Sequence, residues 1–210
     1  MDDLPLPASI AGLRVPQDEV SRASWRWALR ALPRYLLAHS VRSYCWGVAL
    51  GAREGLAVDS RILWCASLFH DVGLTSIARN TMCFEIEGAE FARRTLERFG
   101  MDAESADRAA IAIILHMQPN VSASDGAEAL LLDRATAIDV RGVDVDLVAN
   151  VRTAVTRDFP RGAFDRHFLR AIEREVERRG DCQSRRLLRE TDLAGWMARS
   201  PWAAGMLPTC

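Results

Sequence analysis

The chain contains no lysine: all 27 of its permanently basic side chains are arginine. That excludes a P-loop, whose lysine reaches the nucleotide phosphates, and any chemistry routed through a lysine Schiff base. The five cysteines, Cys45, Cys65, Cys83, Cys182 and Cys210, form no CxxC pair, which excludes a zinc ribbon or a thioredoxin-like centre. Their odd number and scattered placement suit reduced thiols and a cytoplasmic setting. Long apolar runs are missing too. A stretch such as residues 111–115 is far too short to span a bilayer, and the opening Met1-Asp2-Asp3 is acidic with no apolar core of a signal peptide behind it. Without export, the sequon at Asn120-Val121-Ser122 carries no weight. Charge of one sign is also lacking: the formal net charge is −1, which gives neither nucleic acid nor an anionic membrane a reason to bind. The expected partner is a small-molecule substrate, and apolar helix stripes leave a homo-oligomer open.

What is present is an ordinary globular composition, 49% hydrophobic and 26% charged over 210 residues. That fits one domain, 1–210, with a core over about 20–195 and an irregular C-terminal tail. A chain this long needs no metal merely to fold. Sustained two-residue alternation is absent, so no sheet is expected and the fold class is all-α. Helical spacing and turn signals predict helices over residues 17–32, 39–54, 59–71, 87–99, 102–117, 125–139, 144–158, 161–179 and 181–193. Asp59 is the expected N-cap of the third, and Asp125 with Glu128 a variant capping box. The third helix is apolar nearly all round and so is expected at the centre.

Only four histidines occur: His39, His70, His116 and His167. The pair His70-Asp71 ends the most apolar helix, where an ionised carboxylate is costly unless it is paired or binds a metal. Neighbouring helical residues point about 100° apart, so both reach one ion only if it lies beyond the helix end. His39 opens the preceding predicted helix and Asp139 closes a later one that is otherwise apolar. Each residue has a bland alternative: a satisfied core histidine, or an N-cap for Asp139. The ordered set His39, His70-Asp71, Asp139 is what points to a metal, and imidazole with carboxylate suits Zn²⁺, Fe²⁺, Mn²⁺ or Ni²⁺. His167, in a charged helix, reads as a surface residue. Trp25, Trp27, Trp46 and Trp64 read as packing anchors, with Trp46 or Trp64 a candidate wall of a small pocket.

That ordered set resembles the signature of the HD-domain superfamily of metal-dependent enzymes. Around it the chain is similar to cyanamide hydratase-like members: His39-Ser40-Val41-Arg42-Ser43-Tyr44, Leu68-Phe69-His70-Asp71-Val72-Gly73, Phe84-Glu85-Ile86-Glu87-Gly88-Ala89, Ile113-Ile114-Leu115-His116, Asp139-Val140-Arg141-Gly142 and Phe159-Pro160-Arg161. The resemblance runs from about residue 20 to about 180. It implies a helical bundle holding one divalent metal, Zn²⁺ foremost, on His39, His70, Asp71 and Asp139. The implied chemistry is hydration of cyanamide to urea. Many two-metal members carry two further histidines between the HD pair and the last aspartate; here only His116 lies there, which argues against a second metal. On this reading water activated by the metal attacks an electrophilic carbon, and His116 supplies the proton for the developing nitrogen or is a structural core residue. Glu85 and Glu87 orient substrate or water, or else stabilise a helix N-terminus. Arg42, one turn after His39, pairs with a carboxylate near the metal or forms a purely structural ion pair. One rival is a nucleotide phosphohydrolase of the same superfamily, which with no lysine would rest on arginine. The other is a helical regulator with a closed structural metal site.

Overall fold

Aspartate side chains start four of the helices. Asp18 accepts the Ser21 amide at 3.0 Å and opens α1 (Glu19–Ala31), and Asp59 accepts the Arg61 and Ile62 amides to open α3 (Ser60–Phe69), as anticipated. Asp102 and Asp192 do the same for α5 (Ala103–Leu115) and α10 (Leu193–Arg199). Each cap satisfies donors that the first helical turn leaves without partners. The computed structural model describes residues 4–77, 82–179 and 182–202, and the remaining helices in it are α2 (Arg34–Glu54), α4 (Phe84–Arg98), α6 (Ala127–Arg141), α7 (Ala149–Asp158), α8 (Phe164–Arg178) and α9 (Gln183–Glu190). The fold is all-α, as expected. No helix among the described residues is long and apolar enough to cross a membrane.

Helices α2 and α6 pack along each other, α3 lies against α1, α2 and α5, and α4 pairs with α5. The apolar α3 sits at the centre as its composition demands: every residue from Ile62 to Phe69 is buried. Trp25, Trp46 and Trp64 are buried packing anchors as expected. Later in the chain α8 docks on α2 and carries α9 and α10 beside it.

Several boundaries move, each for a local reason. Helix α2 begins at Arg34 rather than at His39, because Pro33 caps it: Pro33 lacks only an amide that a helix start would leave unused anyway. His39 therefore lies in the second turn with its side chain held inward. Helix α4 begins at Phe84, three residues before the expected start. The capping box forms between Ser122 and Asp125; Glu128 instead accepts from the Asp59 amide at 2.8 Å and from Arg108 at 2.9 Å, tying α6 to the start of α3. The C-terminal region is more ordered than expected, since α10 reaches Arg199; residues 203–210, Cys210 among them, lie outside the described residues. The expectation of no sheet is corrected by a hairpin of two-residue strands, Ser9–Ile10 and Leu13–Arg14. Ala11 and Gly12 both take positive φ, the turn that matches strand twist, and Tyr44 Oη donates to the Arg14 carbonyl at 2.8 Å. Two residues are too few to show alternation.

The turn after α3 places the site. His70 continues the helical backbone, Asp71 leaves it at φ −102°, ψ 9°, and residues Val72–Leu74 make one 3-10 turn. That turn lies against the start of α4 so closely that a Cβ built on Gly73 would stand 2.0 Å from the Phe84 carbonyl oxygen. The glycine of the HD-x-G segment is thus required by backbone approach. Gly73→Ala is expected to destabilise the protein by about 1–3 kcal/mol through overpacking, read as a lower midpoint in urea unfolding with an unchanged slope.

Candidate metal centre

Three histidines from three elements meet at Asp71. His39 comes from α2, His70 ends α3, and His116 ends α5. All three rings are buried. Each has its Nδ1 against an oxygen that can only accept: His39 on Asp139 Oδ2 at 2.7 Å, His70 on the Ser67 carbonyl at 2.8 Å, His116 on the Ile113 carbonyl at 2.5 Å. Nδ1 therefore carries the proton in each ring, and in the neutral imidazole Nε2 is left with a lone pair. The Nε2 atoms of His39 and His70 face each other at 3.0 Å. Asp71 Oδ2 stands 3.3 Å from His70 Nε2 and 3.6 Å from His39 Nε2, yet it is buried and makes no hydrogen bond of proper geometry among the described residues. His116 Nε2 is 4.0 Å from the other oxygen, Asp71 Oδ1. Among the described residues His39, His70 and Asp71 form a compact donor cluster able to hold a metal ion.

The electrostatics pull the same way. Burial works against the Asp71 carboxylate, but His70 beside it holds the group down to about 2. Burial likewise opposes charge on His70, yet the Asp71 carboxylate raises that imidazole above its ordinary value. Burial pushes His39 down, and His116 down to about 4. The cluster thus favours positive charge at one point while keeping the other imidazoles neutral. It fits a divalent cation on three counts: lone pairs converging on one point, an orphaned buried carboxylate oxygen, and a tether on the far nitrogen of each ring.

Asp139, expected as a fourth ligand, is not brought into this cluster. Its carboxylate is spent on other partners: Arg42 Nε and Nη2 donate to its two oxygens at 2.8 and 2.7 Å, Trp46 Nε1 donates at 2.9 Å, and Arg161 stands 3.3 Å away. Although Asp139 is buried, Arg42 and Arg161 hold its carboxyl well below the usual carboxylate range. The reason lies in α2. His39, Arg42 and Trp46 are spaced i, i+3, i+7 and so form one stripe, which meets α6 at this carboxylate. The expected ion pair of Arg42 with a carboxylate near the metal is present, but Arg42 is wholly buried and faces Asp139 rather than the cavity.

Glu85 and Glu87 are also buried, but away from the cluster. Met82 donates its amide to Glu87 Oε1 at 3.1 Å, and Arg179 lies 3.5 Å from Oε2. The Phe84 amide is capped by Glu175 of α8 at 3.0 Å. Glu87 thus serves the start of α4 and the docking of α8, which is the helix-terminus alternative. Glu85 has one oxygen without a partner among the described residues, and burial raises its carboxyl. His167 is half-buried and stacks on Tyr35, and is not one of the histidines of the cluster. Trp46 and Trp64 sit in the core and are not among the residues lining the cavity over the cluster.

Above the cluster opens a cavity of about 300 Å³ with His39, His70, Asp71 and His116 at its floor. Its walls are Met117, Ala137, Val140, Phe168 and Leu193, with Asp133, Gln118, Gln183 and Arg186 toward the rim. Phe164 and Phe168, one turn apart on α8, flank the His39 ring, Phe164 stacked at 4.7 Å. Neither the phenylalanines nor Asp133 was identified from sequence. The i, i+4 spacing of the two phenylalanines and the single Asp133 within an apolar helix were signals, but neither says which face meets a cavity.

The family model of the HD domain matches residues 36–147, over half the chain, His39, His70, Asp71, His116 and Asp139 among them. No curated protein matches the chain.

Arg42→Ala would leave Asp139 buried with its bidentate partner gone. The expected cost is roughly 3–5 kcal/mol, measurable by chemical denaturation, and Arg42→Lys should recover only part of it because an ammonium cannot make the two-pronged contact.

Proposed function

The chain belongs to the HD-domain family, and from that premise we propose that it is a metal-dependent enzyme adding water to a carbon–nitrogen electrophile of a small molecule, with cyanamide to urea as the simplest such reaction. Members of this family are typically metal-dependent hydrolases. The observation that carries the reading is the pair of tethered imidazoles, His39 and His70, presenting Nε2 to the unpartnered Asp71 Oδ2 at the floor of a cavity, with His116 Nε2 facing the other oxygen. His39, His70 and Asp71 would hold one divalent ion, Zn²⁺ foremost, with Fe²⁺, Mn²⁺ and Ni²⁺ suited to the same donors. When bound, such an ion supplies a Lewis acid that polarises the electrophile and lowers the pKa of water.

The chain's own residues do the rest. His116 Nε2, an acceptor beside Asp71 Oδ1, takes a proton from the attacking water and returns it to the nitrogen that develops charge. Its tether to Ile113 makes it a base first and an acid second, the reverse of a resting proton donor. Asp139 holds the His39 ring in the tautomer that presents Nε2, and Arg42 with Trp46 holds Asp139. Glu85 and Glu87 stand outside the cavity lining, and Glu87 accepts the Met82 amide ahead of α4. The apolar walls exclude water from the reacting centre.

The alternative, phosphate-ester hydrolysis, needs cations beside the metal to take the phosphate charge. Arg42 and Arg161 are both bound to Asp139, the cavity-lining Arg186 is paired with Glu190 and Arg141 lies over the Trp196 ring, and the chain has no lysine. Carbon–nitrogen chemistry is therefore favoured. Cyanamide, with three heavy atoms, takes the space of two or three waters, on the order of 100 Å³. The cavity leaves room for larger relatives.

Metal analysis should find one equivalent of divalent ion, lost in His39→Ala and Asp71→Ala. Asp139→Asn should keep the one-to-one stoichiometry but bind the ion about 10–100-fold more weakly, the size of effect expected when a ligand's hydrogen-bond partner is removed. Loss of stoichiometric binding in that variant would instead make Asp139 a ligand. Turnover decides the reaction class. The loaded protein should convert cyanamide or larger nitriles and amides and lose this on chelation. A protein that cleaves nucleoside monophosphates and none of these would be a phosphohydrolase.

A further inference from the structure

Within that reading, the cavity itself points to a substrate with two ends. One face of α6 forms a wall of it, through Asp133, Thr136, Ala137 and Val140 at i, i+3, i+4 and i+7. Val140 belongs to the apolar cluster that contains Phe164 and Phe168, the rings flanking His39, so it marks the metal end. Asp133 lies two turns away, about 10 Å along the helix axis at 1.5 Å per residue. The wall between them is apolar but for Thr136, whose hydroxyl donates back to the Asp133 carbonyl at 2.9 Å.

Asp133 is anomalous among the polar groups around the cavity, because its neighbours are already engaged. Gln118 and Gln183 hydrogen-bond each other. Arg186 pairs with Glu190 at 2.8 Å. The Arg141 guanidinium lies over the Trp196 ring, 5.4 Å from its centre. The Asp133 carboxylate is half-buried and has neither hydrogen bond nor ion pair among the described residues. Burial raises its carboxyl to about 6, only partly countered by Arg141 and Arg134. An unpaired carboxylate held on an apolar wall is costly for the free protein. A ligand's positive charge would remove that cost and gain a charge-assisted hydrogen bond.

We propose that Asp133 is the recognition site for a protonated amine, so that the natural substrate is an elongated molecule with its carbon–nitrogen electrophile at the His39–His70–Asp71 end and an ammonium group about two helical turns away. The segment between the ends is apolar, matched to Ala137, Val140 and Leu193. Cyanamide fills only the metal end of such a site, and an anionic or nucleotide substrate is disfavoured at the far end.

The proposal rests on the metal reading for one end only, so two kinds of probe separate the failures. The first is a matched series of linear hydroxamic acids, whose hydroxamate chelates divalent ions, ending in either methyl or ammonium and varied in length, with binding to the Zn²⁺-loaded protein measured by calorimetry. The ammonium compound of best length should bind about tenfold or more tightly than its methyl counterpart. Asp133→Asn should erase that preference and leave the methyl compound's affinity unchanged. The second probe is the hexylammonium ion, which has no metal-binding end. It should shift the carboxyl carbon resonance of Asp133, and its binding should be lost in Asp133→Asn. If no hydroxamate binds while hexylammonium still binds through Asp133, the metal reading fails and the amine site stands. Equal affinity of the two end groups, an Asp133→Asn variant that keeps the preference, or tighter binding of a carboxylate-ended analogue would overturn the proposal.

Discussion

A buried anion organises this molecule. The Asp139 carboxylate lies in the core, where an unpaired charge would be prohibitive, and it is made tolerable by donors from separate parts of the chain. His39, Arg42 and Trp46 reach it from α2, and Arg161 reaches it from the segment before α8. Every one of these contacts is also a packing instruction. The α2–α6 interface must bring the stripe of α2 onto Asp139. The Phe159 and Pro160 carbonyls, both within reach of Arg42 Nη1, bring the approach to α8 alongside. Helix α8 then delivers Phe164 and Phe168 to the His39 ring. The orientation of one histidine is thus the end product of a network that spans four segments.

The second constraint is the turn at His70-Asp71. Because α3 is buried on all sides, its C-terminus delivers two polar residues into the interior, and each is accommodated differently. His70 is satisfied locally by the Ser67 carbonyl three residues back. Asp71 leaves the helical backbone and keeps an oxygen without a partner. Gly73 then lets the chain pass close beneath α4. Local hydrogen bonds set the tautomers of His70 and His116, whereas that of His39 depends on a residue 100 positions away. The site is therefore a mixture of parts that local sequence preorganises and one part that exists only when α6 is docked.

Above the cluster, the cavity divides the labour between elements. The floor comes from the ends of α3 and α5 and from α2, while one wall comes from α6 and the opposite side from α8, α9 and the start of α10. On that side α9 and α10 are short, and Arg186 pairs with Glu190 along α9 beside the cavity. A floor suited to one kind of chemistry and walls drawn from separate helices is an arrangement in which substrate choice can differ without disturbing the reacting centre.

Much of this was legible in the residues themselves. Hydrophobic period and Asp caps specify α1, α3 and α5 because those signals act within a few residues. The scarcity of histidine, with one HD pair at the end of the most apolar helix, was enough to single out His39, His70, Asp71 and His116, and composition excluded lysine-based phosphate chemistry outright. What tertiary structure decided is which polar atoms share a point. Asp139 was expected in the same donor set as His39, His70 and Asp71, yet its carboxylate is engaged by His39 Nδ1, Arg42 and Trp46, because order along the chain cannot distinguish a carboxylate inside a donor cluster from one that holds a ring of it. That placement turns on ångström-scale approach of α2 to α6, which sets Arg42 against the Asp139 carboxylate. Glu85 and Glu87 were drawn toward the site by a motif, yet neither lines the cavity, and Glu87 instead meets Arg179 at the end of α8. Asp133 carried no local mark, since a helix period shows that a residue shares a face with Val140 but not that the face borders a cavity. Identity and spacing determine which chemistry the chain can carry; the close packing of helices far apart in sequence determines where it is carried and by which atoms.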